Sequence, residues 1–329
     1  MKYNYKKLLI IICIVLFIGV FRFSQNRDDF STYNPEWNGG ELIKSDLSKN
    51  HTIISMPLTD DLSSYDPYKT AFIILRPENN FSKNEIDIIK KFVENGGLLI
   101  IADDFGAGNK FLSNFTTQIA FSNMLLQDDV NYWKNITFPV VTTSMKNIGN
   151  ITLNNPTSLI VKDSSVKIIA RSSTFSWLSS ENMDKGSGDQ YPVIASTTYG
   201  NGTIIAISDP SIFINSMLQM TDNRLLLQKL VENRKYIIFD ERTRIFPVSV
   251  ILYHIRNNPL IQYMFAASLI LLSYIYMNRE RLYPTKEKHT RNNISAVDEK
   301  EIISDMVKRN KWDDGKIQRF KNKLEGRNK

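Results

Sequence analysis

The chain has two long uncharged apolar runs, one near each end, with a middle in which short hydrophobic bursts alternate with polar turns. Residues 8–21 are uncharged and almost wholly apolar. Residues 259–277 (PLIQYMFAASLILLSYIYM) carry no charge, and Gln262 is their one strongly polar side chain. Between them the periodicity predicts an α/β domain. Residues 70–75 (TAFIIL) form a buried, β-branched run. Ser82-Lys83-Asn84-Glu85 follows as a capping box, in which hydroxyl and carboxylate satisfy each other's free N–H groups. Ile86, Ile89, Phe92 and Val93 then fall on one helical face, and Gly96-Gly97 stops the helix. Residues 98–102 (LLIIA) make a second buried run ending in Asp103-Asp104. Strand, helix and strand within so short a span predict a βαβ unit with a right-handed crossover. Residues 51–56 supply a further parallel strand ahead of it.

Beyond the unit the pattern shortens. Residues 136–141, 151–153, 158–161 and 166–170 are brief runs separated by Asn, Gly, Pro and Ser, which predicts a meander-like β segment, inserted or at a sheet edge. A polar loop over 179–190 precedes a hairpin, 193–198 and 203–208, turned at Gly200-Asn201-Gly202. Asp209-Pro210 opens a helix, Asp222 caps another over 223–232, and 236–239 is a last strand ending in Asp240-Glu241.

Charge changes the picture of the ends. The 329 residues carry a formal charge of +7, which on a single globular body would suggest nucleic-acid binding. The charge is not spread evenly. Lys2, Lys6 and Lys7 precede the first apolar run, and the stretch from Arg279 onward holds 15 basic and 9 acidic residues. The remainder is slightly negative. Basic flanks on both apolar runs follow the positive-inside rule. They predict a plasma-membrane protein with two spans: a cytoplasmic 1–7, a first transmembrane helix over 8–23 and an extracytoplasmic α/β domain over 24–256. A second transmembrane helix over 257–278 and a basic cytoplasmic tail over 279–329 complete it. A cleaved signal peptide is the alternative for the first run, but residues 19–23 lack an A-x-A pattern. Sequons at Asn50, Asn80, Asn114, Asn135, Asn150 and Asn201 agree with export.

The tail predicts two kinds of partner. Its basic segment over 279–291 suits anionic membrane lipid. Ile302, Ile303, Met306 and Val307 share a helical face suited to a membrane or cytoplasmic protein. Nucleic acid is not expected, because such charge runs are topogenic or lipid-facing.

Residues 67–109, Ser208-Asp209-Pro210 with the following SIFIN, Asp222-Asn223 and Phe239-Asp240-Glu241 occur in the order of a known set. The chain resembles a prokaryotic, largely archaeal, membrane-anchored family of unknown function with a class I glutamine-amidotransferase-like domain. That resemblance implies a flavodoxin-like, doubly wound sheet with the β-rich segment inserted, flanked by two transmembrane helices. It implies no established activity. Relatives often place histidine soon after the Asp-Glu pair, where this chain has Arg242-Thr243-Arg244.

The residues also limit the chemistry. Cys13 is the only cysteine and lies in the first apolar run, so an amidotransferase thiolate has no source in the domain. The three histidines, His51, His254 and His289, lie away from the predicted strand ends. No cofactor is expected, and G-x-S-x-G, Walker A and G-x-G-x-x-G motifs are all missing. What remains is a polar set at the strands' carboxyl ends, where open α/β sheets bind ligands. Its members are Arg76, Asp103, Asp104, Asp209, Ser211 and Asp240. They read either as a pocket for a cation, a sugar-like ligand or a partner, or as helix caps with Arg76 paired to an aspartate. The same aspartates offer a second function, metal-assisted hydrolysis at the cell surface. Asp184 and Asp189 lie in an acidic, glycine-rich loop that resembles a calcium loop but lacks the EF-hand register.

Overall fold

Successive residues of a strand point to opposite faces of its sheet, and this chain fills both faces with apolar side chains. The computed structural model describes residues 28–56, 59–77, 81–179, 188–242, 244, 259–282, 304–305, 308–309 and 314–325. Those up to Pro259 form one unit and those from Leu260 onward belong to another.

In the larger unit, helix α1 (Glu41–Leu47) leads into strand β1 (Thr52–Met56). Then come β2 (Thr70–Leu75), α2 (Lys83–Glu94), β3 (Leu98–Ala102) and a short α3 (Gly108–Leu112). The β-rich stretch comprises β4 (Ile119–Phe121), β5 (Leu125–Asp128), β6 (Val140–Thr143), β7 (Asn150–Thr152), β8 (Leu159–Val161), β9 (Lys167–Arg171) and β10 (Ser176–Ser179). Strands β11 (Pro192–Tyr199) and β12 (Gly202–Ile207) form the hairpin. Helix α4 (Asn223–Val231) and β13 (Tyr236–Asp240) close the unit.

The main sheet has nine strands in the order β1-β13-β2-β3-β12-β11-β9-β6-β7. Strands β1, β13, β2, β3 and β12 run parallel, and the remaining four continue antiparallel. The last strand among the described residues is thus inserted between the first two, so β13 is an interior strand with a neighbour on each side.

Two apolar cores lie against this sheet. On one face Ile73, Ile100, Ile207 and Phe239 pack with Ile43 and Leu47 of α1 and Leu226, Leu227 and Val231 of α4. On the other, Phe72, Ile74, Leu99, Ile101 and Ile238 pack with Ile86, Ile89, Phe92 and Val93 of α2 and Phe111 of α3. The βαβ unit forms as its residues dictate. Ser82 and Glu85 complete the reciprocal capping box, and Gly96 takes the left-handed φ of 106° that ends the helix.

The expected fold class needs correction in two respects. The sheet is mixed α/β, its antiparallel part joining β11 of the hairpin to β9, β6 and β7 of the β-rich segment, rather than a flavodoxin-like, amidotransferase-like doubly wound parallel sheet. The flanking transmembrane helices are not supported: among the described residues no helix is long and apolar enough to cross a membrane. The first expected span, 8–23, lies outside the described residues. The second coincides with α5 (Pro259–Leu282), a 24-residue helix in which several apolar side chains, Leu271 and Leu272 among them, are exposed. Its apolar run is diluted by Gln262, Ser268, Ser273, Tyr263, Tyr274 and Tyr276, and Asn278-Arg279-Glu280-Arg281 lies inside the helix. The two-span topology, the plasma-membrane localisation with cytoplasmic termini and the extracytoplasmic placement of the domain are therefore dropped. In the tail, α6 (Asp314–Glu325) is helical, whereas Ile302, Ile303, Met306 and Val307 lie outside the described residues.

Candidate functional site

Five parallel strands bring their carboxyl ends to one edge. Across it lie Ser55 near the end of β1, Asp240 and Glu241 of β13, Arg76 after β2, Asp103 and Asp104 after β3, and Ser208 and Asp209 after β12. Parallel pairing therefore brings Arg76, Asp103, Asp104, Asp209 and Asp240 to this edge.

Most of these side chains are consumed in holding it together. Asp103 is fully buried, and its Oδ2 accepts from the Gly108 N–H at 2.6 Å, cinching the loop that leads into α3. A Cβ on Gly108 would come within 2.5 Å of that oxygen, so the cinch requires glycine. Asp209 is also fully buried. Its Oδ1 accepts from the Ser211 N–H at 2.7 Å, capping a single 3-10 turn (Pro210–Phe213), and its Oδ2 accepts from the Asn154 N–H at 2.6 Å. Ser211 contributes that backbone N–H and is itself buried. Asp240 accepts from Arg242, Nε to Oδ1 at 2.7 Å and Nη2 to Oδ2 at 2.9 Å. The third arm of the Arg242 guanidinium reaches Glu85 at 2.7 Å, and its plane lies 3.6 Å from the Phe81 ring centre. One arginine thus clamps β13 to the start of α2.

Burial sets the electrostatics. Removal from water raises the Asp103 carboxyl to about 6, against the Gly108 N–H bond, and the nearby Asp104 charge adds to the rise. Burial lifts Asp209 to about 7, again against its N–H donors. Glu85 moves the other way: burial opposes its charge, but hydrogen bonds from Ser82 and the Arg242 pair lower it to about 2.

Arg76 and Asp104 differ from the rest. Arg76 sits at φ 45°, a left-handed backbone uncommon outside glycine. Its N–H donates to the Ala102 carbonyl, while Arg244 donates to the carbonyls of Leu75 and Arg76. The strand tip is fixed, yet the Arg76 side chain is exposed and makes no hydrogen bond or ion pair among the described residues. The expected pairing of Arg76 with an aspartate is therefore absent there. Asp104 is half-buried, accepts from the Phe105 N–H at 2.6 Å, and places Phe105 49% exposed beside it.

Residues that sequence reasoning passed over close the far end of this edge. The segment 28–40 folds across it. Glu241 is buried with Oε1 accepting from the Thr32 N–H at 2.6 Å, and burial raises its carboxyl. Thr32 and Ser55 hydroxyls lie 2.7 Å apart. Asn223, beneath the β7 end, donates to the Thr152 and Met217 carbonyls and accepts from the Thr152 N–H. The Asp-Glu doublet after the last strand was the available signal for Glu241. The Thr32 contact spans 209 residues and leaves no local trace.

Metal chemistry finds no donor set here. Among the described residues no group of three or more His, Cys, Asp or Glu could hold an ion. Of the loop candidates, Asp189 is exposed and bridges to Ser176, and Asp184 lies outside the described residues. His51 is at the amino end of β1, its Nδ1 2.6 Å from the Arg234 carbonyl, on the opposite edge of the sheet.

Fold and site together define a three-layer α/β domain with a polar strand-end edge stabilised from within. The profile of a domain of unknown function, DUF4350, matches residues 32–231, and the chain belongs to that family. The match does not carry the membrane-anchored, archaeal or amidotransferase-like character that the resemblance had implied. No curated protein matches the chain. Among solved structures, the mmIFT52 N-terminal domain is 16% identical, covering 63% of this chain and 95% of that one at a TM-score of 0.47. A β-galactosidase from Bacillus circulans sp. alkalophilus is 14% identical over 54% of this chain and 24% of its own, at 0.32. A cytoplasmic protein from Salmonella typhimurium LT2 is 11% identical, over 60% and 88%, at 0.38.

Proposed function

We propose that this chain is a small-molecule binding domain whose site is the exposed part of the strand-end edge: Arg76, Asp104 and Phe105. The observation that carries the reading is Arg76, a guanidinium exposed on a backbone that neighbouring groups hold in a left-handed conformation. Non-glycine residues persist there only when their surroundings over-determine them, and such positions cluster at ligand clamps. Arg76 supplies a planar fork for a carboxylate. Asp104 supplies an acceptor for an ammonium, and Phe105 an apolar face. The three together suit an amino-acid or short-peptide zwitterion. Asp103, Asp209 and Arg242 position the edge and touch no ligand.

The test is a thermal-shift screen of the full chain against free amino acids and dipeptides, with Arg76→Gln in parallel. Stabilisation of the parent that vanishes in Arg76→Gln supports the reading. Equal stabilisation of both proteins, or none of either, contradicts it.

A further inference from the structure

A second concavity lies in the antiparallel half, at the same end of the sheet as the strand-end edge and two strands beyond β12. It has a volume of about 440 Å3 and runs along β6 and β9. Its lining is unusual in composition. Thr142, Ser144, Thr174, Asn131 and Gln190 supply hydroxyls and amides, and Arg171 is the one charged side chain. Phe175 stands at its margin with 52% of its surface exposed, and Val130 and Tyr132 are exposed nearby.

The walls are fixed by a buried group. Asp128 is inaccessible to solvent, with Oδ1 accepting from the N–H groups of Val130 at 2.9 Å and Asn131 at 2.6 Å. Its Oδ2 accepts from the Ser173 and Ser176 hydroxyls at 2.5 and 2.7 Å. One carboxylate therefore ties the segment bearing Asn131 to the segment bearing Phe175. The Asp129 N–H donates to the Phe175 carbonyl at 3.3 Å and reinforces the junction. Holding the backbone that bears Asn131 and Phe175 lowers the ordering cost of binding.

The lining selects among ligand classes. A nucleic acid needs several cations along its phosphates, and the groove has one. An extended peptide adds to an open strand edge, but β6 is paired on both sides by β7 and β9, and β9 by β6 and β11. Neutral hydroxyls and amides next to an aromatic face match a sugar, which offers C–H faces to a ring and hydroxyls to fixed polar groups. We propose that this groove binds a neutral oligosaccharide, one pyranose ring stacking on Phe175 and its hydroxyls bonding to Asn131, Thr174 and Gln190.

Isothermal titration of the full chain with maltopentaose, cellopentaose and N-acetylchitopentaose tests it. At least one binds with a dissociation constant of about 1 mM or tighter. Phe175→Ala and Asn131→Ala each weaken that binding by about tenfold or more, a loss of about 1.4 kcal/mol, with unchanged unfolding midpoints. Phe175→Trp retains it. Binding of none of the three up to about 10 mM overturns the proposal, as does undiminished binding by Phe175→Ala. Arg76→Gln leaves this binding intact, so the groove and the strand-end site stand or fall separately.

Discussion

Asp209 shows how one side chain can be both a cap and a pH sensor. Its carboxyl is raised from the ordinary 3.8 to about 7, and that of Asp103 to about 6, both by burial. A carboxyl whose folded pKa lies above its unfolded one contributes stability that is complete below about 3.8 and lost as the pH rises through the folded value. The two groups thus make the fold less stable at pH 8 than at pH 5. Urea unfolding at the two pH values measures this, and Asp209→Asn shrinks the difference while Ser211 and Asn154 keep one acceptor. Glu85 has the opposite sign: its lowered carboxyl contributes stability above about 4.5 that disappears as the pH falls towards 2. Arg242 holds both Glu85 and Asp240 and is itself only 13% exposed. Arg242→Ala removes the guanidinium from both carboxylates and lowers unfolding free energy by on the order of 3 kcal/mol, measurable by urea denaturation.

At the scale of elements, the βαβ unit was the most legible part of the chain because its signals are local. The Ser82–Glu85 box, the Ile86, Ile89, Phe92 and Val93 face and the Gly96 stop all act within one or two helical turns. Ser82→Ala removes the cap and costs about 1 kcal/mol in the same assay. Phe72→Ala, in the buried centre of β2, costs about 3–5 kcal/mol. The strand ends carrying Asp103, Asp209 and Asp240 were legible for the same reason, as apolar runs closed by acids. Strand order was not. Placing β13 between β1 and β2 depends on pairings such as Thr52 with Tyr236, across most of the domain, which periodicity cannot encode. The short runs left open whether the β-rich segment is an insertion or a sheet edge, and backbone bonds place β6, β7 and β9 at the edge of the main sheet. Helix α5 misled for a compositional reason. An uncharged run suggests a span, but spaced tyrosines, serines and Gln262 dilute its hydropathy.

At the scale of the molecule, the same edge has two layers of side chains. Buried carboxylates and arginines fix the strand ends, and Arg76 and Phe105 are left exposed with Asp104 half-buried beside them. Only this second layer is proposed to meet a ligand. The sequence singled out Arg76 and Asp104 without separating them from Asp103, Asp209, Ser211 and Asp240, since a cap and a ligand contact use the same residue types. Burial makes the distinction. The most direct test of that central claim is NMR chemical-shift mapping on the full chain while a dipeptide is added. The account predicts perturbations at the Arg76 side-chain Nε–H and at the Asp104 and Phe105 amides, with the Asp209 surroundings unmoved. Perturbations gathered elsewhere on the sheet, or none at all, would contradict it.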